Sequence, residues 1–194
     1  NAANQVDIAR AGAIEPLVAL GGLRGGSAEA QEEAAFALGN LASGNTANKV
    51  AIARAGAIEP LVALLHGGSA GAQEAAALAL SYLATGNAAN QVDIARAGAI
   101  EPLVALMRGG SAGAQEQAAL ALGHLASNAD NQAAIALAGT IEPLVTLLRL
   151  GSPYGRRAAI KALFPLASSA DTLAVFAQAD NLEPLIACTR GNPA

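Results

Sequence analysis

The chain has 194 residues, a formal net charge of −4 and a single cysteine, Cys188. An acidic chain without clustered Lys and Arg argues against nucleic-acid binding, and one cysteine can form neither an intrachain disulfide nor a cysteine-based metal site. Hydrophobic residues make up 53% of the sequence and aromatic residues only 3%, a composition that favours helices rich in Ala and Leu. No apolar run reaches the length of about 18 residues that spans a bilayer, so we expect no membrane insertion.

The stretch NAANQVDIARAGAIEPLVAL at 1–20 is repeated letter for letter at 87–106. Its first predicted element is a short helix that ends at Gly12, where glycine permits a left-handed turn. A second helix begins at IEPLV, with Pro16 in the first turn, where a missing N–H costs nothing. A third helix follows Ser27, a residue type suited to the N-cap.

These three elements recur along the chain, and we call each copy a unit. The block IEPLV starts at residues 14, 58, 100 and 141, and LEPLI starts at 182, which gives spacings of 44, 42, 41 and 41 residues. Two of the extra residues in the first spacing are Gly21 and Gly22, which we expect to loosen the end of the second helix. A period near 42 is typical of helical solenoids, whose units stack on one another.

The third helix of each unit has two faces. In the third unit the apolar residues at helical spacing, which predict the core face, are Ala114, Ala118, Leu122 and Leu125. The opposite face carries Glu116, Leu120 and His124. Two interpretations remain open, because this face either lines a groove for a partner or packs against a neighbouring unit. The glutamate favours the groove, since a buried carboxylate without a partner is costly.

The pattern resembles the armadillo repeat family over essentially the whole chain. The resemblance rests on the three-helix order, the Gly between the first two helices, and third helices such as QEEAAFALGNLASG, which is similar to the family pattern ALWALSNLASG. Two-helix HEAT repeats fit less well, because the short first helix and its Gly turn are retained. The resemblance implies an all-α, right-handed α-solenoid with units at 1–43, 44–86, 87–127 and 128–169 and a partial, capping unit at 170–194.

In that family the third helices line a concave groove for extended peptides or partner surfaces. The resemblance therefore implies a non-catalytic protein-interaction scaffold without a cofactor. The predicted groove residues, grouped by unit, are Glu32, Phe36 and Asn40; Glu74, Leu78 and Tyr82; Glu116, Leu120 and His124; and Arg157 and Lys161. Only the first unit keeps the aromatic–Asn pair of the family. We expect a protein or peptide partner with basic residues opposite the glutamates and an acid opposite the two basic residues.

A structural or engineered repeat scaffold without a dedicated ligand is the alternative, and the exact copy of twenty residues favours it. The variation at Tyr82 and His124 between otherwise similar units argues against a pure scaffold. An enzyme is the weakest class: Cys188 has no histidine nearby in sequence, His66 is predicted to be a surface residue, and the Gly-rich linkers lack the lysine of a phosphate loop.

Further expectations concern single positions and the ends of the chain. The asparagines that recur in the first helices, Asn4, Asn48, Asn90 and Asn131, predict a structural hydrogen bond inside each unit. Pro165 predicts a kink or an early end of the last third helix. The first unit matches an interior unit, so an uncapped N-terminal face predicts weak homo-oligomerisation. The final unit has a more apolar first helix, which is typical of a cap. We expect an intracellular, cytoplasmic or nuclear, location.

Overall fold

The structure, a computed structural model, describes residues 2–19 and 22–168. Regular secondary structure in these residues consists of twelve helices. In the first unit they are α1 (Ala2–Arg10), α2 (Ile14–Val18) and α3 (Ala28–Ala42), and in the second α4 (Thr46–Arg54), α5 (Ile58–Gly67) and α6 (Ala70–Ala84). In the third unit they are α7 (Ala88–Arg96), α8 (Ile100–Gly109) and α9 (Ala112–Leu125), and in the fourth α10 (Ala129–Leu137), α11 (Ile141–Leu150) and α12 (Pro153–Ala167).

The predicted turns and caps are confirmed. The glycines between the first and second helices have φ between +75° and +82°, and they are Gly12, Gly56, Gly98 and Gly139. Each predicted serine cap accepts a hydrogen bond from the backbone N–H three residues later, at 3.0–3.3 Å, and these caps are Ser27, Ser69, Ser111 and Ser152. Every third helix therefore begins in the same way, which fixes the register of its two faces.

The second helix of the first unit is short. It ends at Val18, whereas the corresponding helix α8, which starts with the same residues, continues to Gly109. After α2 the chain turns back so that the N–H of Leu23 donates to the carbonyl of Leu17 at 2.9 Å. A Cβ on Gly22 would overlap that carbonyl oxygen, so only glycine fits. This confirms the predicted loosening.

The third helices form one continuous layer, because α3, α6, α9 and α12 pack side by side in chain order. Each second helix packs against the third helix of its own unit. The predicted core stripe of α9 is buried throughout. Neighbouring third helices also approach closely: a Cβ on Gly39 would lie 3.2 Å from the Cα of Ala79, and one on Gly123 would lie 3.1 Å from the Cα of Ala162. Small residues therefore set the distance between neighbouring third helices, and the stacked units form an α-solenoid.

The recurring asparagines link successive units, so the prediction of a bond inside each unit was wrong. The Asn90 side chain donates to the carbonyls of Leu83 at 3.0 Å and Lys49 at 3.5 Å, both in the preceding unit. Asn48 and Asn131 make the equivalent pairs of bonds. One bond of each pair satisfies a carbonyl at the end of the preceding third helix, which has no further N–H of its own to meet it. The other bond goes to a carbonyl of the preceding first helix.

Helix α12 continues through Pro165 to Ala167, so the predicted early end was wrong. The nitrogen of the proline cannot donate to the carbonyl of Lys161, and its ring crowds that carbonyl. Three buried neighbours on the same helix, Ala162, Leu163 and Leu166, hold this turn against the core. Packing therefore outweighs the local cost of the proline.

Within the described residues no single helix is long and apolar enough to cross a membrane. Two pairs of consecutive helices, α4 with α5 and α10 with α11, are long and apolar enough when each pair is taken together. The two helices of each pair meet at a bend, of 78° in the first pair and 84° in the second. The predicted capping unit at 170–194 lies outside the described residues, as does Cys188.

Candidate functional site

The predicted groove residues of the first three units lie along the layer of third helices, and their exposure falls along the chain. Phe36 is 49% exposed and Asn40 is exposed. Leu78, Tyr82 and Leu120 are half-buried, and Tyr82 and Leu120 pack against the core. We call this surface the helix-3 face. It is open in the first unit and more filled in the second and third units.

An acidic cavity of about 520 Å³ lies between α3 and α6 on the helix-3 face. Its lining includes the carboxylates of Glu32, Glu33 and Glu74 and the apolar side chains of Phe36 and Leu78. Glu33, which is exposed, was missed in the sequence because the corresponding positions of the other units carry no acid. Three carboxylates beside an apolar wall can accept hydrogen bonds from a cationic side chain and cover its alkyl stem.

The three predicted glutamates also contact the next unit. Glu74 Oε2 accepts a hydrogen bond from the Ser111 hydroxyl at 2.8 Å, and Glu116 accepts one from the Ser152 hydroxyl. The Glu32 carboxylate rests on Gly71, where a Cβ would overlap it. Each carboxylate thus lies at the N-terminus of the following third helix, where negative charge is favourable.

Both interpretations of this face therefore apply to the glutamates, because they line the surface and bridge units. They are half-buried and keep part of their surface accessible to solvent. Their contact with a partner stays a prediction.

The C-terminal part of the helix-3 face carries a basic group of side chains. Lys161 is exposed, and its Nζ lies 3.3 Å from Nε2 of His124, which is only 9% exposed. The same Nε2 lies 3.0 Å from the Thr85 hydroxyl, and the buried Lys49 donates from Nζ to the Thr85 carbonyl. Arg157 is exposed. We call Lys49, Thr85, His124 and Lys161 the basic cluster.

Two side chains of the basic cluster, His124 and Lys49, have lowered pKa values. Burial lowers the pKa of His124 to about 4, and the positive charges of Lys161 and Lys49 act in the same direction. Burial also lowers the pKa of Lys49. His124 is therefore a neutral imidazole at pH 7 between two ammonium groups. Lys49 was missed in the sequence, although one signal was present: the corresponding residues are Gln5, Gln91 and Gln132.

The described residues contain no group of three or more His, Cys, Asp or Glu side chains that could hold a metal ion. His66 is exposed at the end of α5. At the equivalent position of the third unit, Arg108 donates to the Gly139 carbonyl at 3.0 Å, so this position serves contacts between units there.

Comparisons with known proteins agree with the three-helix unit. The armadillo/β-catenin-like repeat model matches residues 45–85 and 87–127. No curated protein sequence matches the chain. An engineered protein of known crystal structure is 35% identical to it, with a TM-score of 0.88, and the match covers 100% of this chain and 80% of that one.

Two further solved structures are similar. A designed armadillo repeat protein in complex with the peptide (KR)4 is 30% identical, with a TM-score of 0.81, and the match covers 95% of this chain and 82% of that one. The armadillo repeats only protein from Plasmodium falciparum is 23% identical, with a TM-score of 0.71 and coverage of 84% and 73%, and shows a likeness of fold alone. The matched repeats, the designed relative and the three-helix units together show that the chain belongs to the armadillo repeat family.

Proposed function

We propose that the chain is a non-catalytic scaffold that binds a peptide or protein segment, in part basic, along its helix-3 face. The observation that carries the proposal is the acidic cavity, which three carboxylates line together with the apolar side chains of Phe36 and Leu78. An extended segment with Lys or Arg side chains fits this chemistry. The designed relative at 30% identity was solved with the basic peptide (KR)4, which supports the same class of partner.

Glu33 allows a clean test because it is exposed and lines the cavity, whereas Glu32 and Glu74 also bridge units. We would measure the fluorescence anisotropy of labelled (KR)4 with the wild type, with Glu33→Gln and with Phe36→Ala. A matched control is Glu101→Gln, which removes an exposed charge from the second-helix layer.

We expect (KR)4 to bind the wild type and to lose about threefold to tenfold in affinity with either cavity variant, while the control stays unchanged. Added salt should weaken binding, because exposed charges are screened beyond about 10 Å at 0.1 M. No binding, or equal affinity for all four proteins, would remove the proposal.

A second candidate is a repeat scaffold without a dedicated ligand that associates weakly with itself. The exposure of Ile8 in α1, at 47%, and the 35% identity to an engineered protein favour it. Sedimentation over a hundredfold range of concentration would test association, and Ile8→Ser should abolish any mass increase. A constant monomer mass would remove this candidate.

A further inference from the structure

The basic cluster is built from four positions at which the units differ. Lys49 replaces the glutamine of the other units, and Thr85 stands where the first and third units have Ser43 and Ser127. His124 corresponds to an asparagine, a tyrosine and a proline, and Lys161 to a phenylalanine and two leucines. The four residues come from three units, yet they form one chain of contacts.

The shared architecture does not require the charge on Lys49. Gln5, which corresponds to Lys49 in the first unit, donates from its amide to the carbonyl of Ser43 at 3.0 Å. Lys49 donates to the carbonyl of Thr85, which corresponds to that of Ser43, so a glutamine could make the same bond. Lysine adds a positive charge at a position that is only 6% exposed. Burying a cation is costly unless an anion offsets it.

No anion in the described part of the chain offsets these cations. The hydrogen bonds of the two lysines go to the Thr85 carbonyl and the His124 ring, and neither has a carboxylate partner there. An ammonium group has three N–H donors, and one imidazole nitrogen can accept only one of them. Lys161 is also exposed, so its remaining donors can reach a ligand.

We propose that the basic cluster is a binding site for a carboxylate, supplied by an Asp or Glu side chain of the segment that lies on the helix-3 face. The inference rests on the proposed function and adds the second half of the partner. The carboxylate bonds directly to Lys161, and Lys49 and His124 lie behind it and strengthen the positive field. Arg157, which the sequence paired with Lys161 in this role, contributes no contact to the cluster. Burial first, and then the positive charges of Lys161 and Lys49 that the carboxylate offsets, lower the pKa of His124.

The helix-3 face is therefore bipolar. Carboxylates line its N-terminal cavity, and the ammonium groups lie towards its C-terminal end. A partner that carries basic residues followed or preceded by an acid matches both parts, and a purely basic partner matches only one. Such complementarity fixes the direction in which the segment lies and excludes wrong partners.

The first experiment tests the site without a peptide. Ring resonances of His124 are followed by NMR while sodium acetate replaces sodium chloride at constant ionic strength, with His66 as an internal reference. We expect a saturable shift for His124 in the wild type that is lost in Lys161→Gln and reduced in Lys49→Gln. The latter restores the residue of the other units and should keep the fold. No shift, or the same shift in all proteins, overturns the inference.

The second experiment measures the affinity of (KR)4 extended by four glutamates at either end, with tetraserine extensions as controls. We expect one glutamate peptide to bind the wild type about tenfold more tightly than its serine counterpart. Lys49→Gln and Lys161→Gln should remove this gain, so that each glutamate peptide binds no more tightly than its serine counterpart. Arg96→Gln, which removes an exposed charge on α7, should preserve the gain.

The outcomes separate the two proposals. A glutamate gain that is absent, or that persists in both lysine variants, overturns the carboxylate site and leaves the scaffold function standing. If no peptide binds, the proposed function fails, and the acetate titration alone decides whether the site exists.

Discussion

His124 makes the stability of the protein depend on pH. Its pKa is lowered from 6.5 to about 4 in the folded chain, first by burial and then by the charges of Lys161 and Lys49. Between these pH values the unfolded chain binds the proton more tightly, so acid favours unfolding. The stability that this difference contributes is complete above pH 6.5 and is lost as the pH falls towards 4.

The size of the effect follows from the shift. One pKa unit corresponds to about 1.4 kcal/mol, so a shift from 6.5 to about 4 corresponds to a loss of about 2 to 3 kcal/mol across this range. For a repeat array of this size that is a large part of the free energy of unfolding. A neutral replacement at position 124 should remove the pH dependence but not the packing.

Urea unfolding at pH 7, 6, 5 and 4 measures this for the wild type and for His124→Asn, which introduces the residue found at the same position in the first unit. The free energy of unfolding of the wild type should fall by about 2 to 3 kcal/mol more than that of the variant. His66→Asn, at an exposed position, is the control and should follow the wild type. Parallel curves for the wild type and His124→Asn would refute the reasoning.

Two further predictions concern the contacts between units, and chemical denaturation measures both. Asn90→Ala removes the donor to the carbonyl of Leu83 at the end of α6 and the longer bond to that of Lys49, and should cost about 2 kcal/mol, whereas Asn4→Ala, at an exposed site, should change stability by less than about 0.5 kcal/mol. Equal costs would contradict the role of the asparagine. Ser111→Ala should cost about 2 kcal/mol because it removes a helix cap and the bond to Glu74, while Ser69→Ala removes a cap and should cost about 1 kcal/mol. If Ser111→Ala costs no more than Ser69→Ala, the bond to Glu74 adds nothing to stability.

The repeated architecture could be predicted from the sequence because its signals are local. A glycine in the left-handed conformation, a serine cap and a first-turn proline act within a few residues, and each recurs at a fixed spacing. Gly22 was also predictable, since two extra glycines interrupt a helix that is otherwise copied. These features depend little on tertiary contacts with the rest of the chain.

Contacts between units could not be predicted in the same way. The sequence assigned the recurring asparagines to bonds inside each unit, because it does not show which carbonyl lies beside Asn90. It also predicted a kink or an early end at Pro165, and the early end was wrong because the packing of Leu163 and Leu166 that holds the last turn is tertiary. Lys49 belongs to a first helix, so no pattern in the third helices could reveal it.

The copied and the altered positions of the units have different roles in the structure. Residues that all units share, such as the caps and the turn glycines, set the conformation and spacing of the helices, and one solution serves every copy. Lys49, Thr85, His124 and Lys161 depart from the copies in three separate units and contact one another in space. Stacking alone gives no reason for these departures to converge, because each unit could keep the residue of its neighbours. Recognition of a partner gives such a reason, since only a site assembled from several units needs different residues in each.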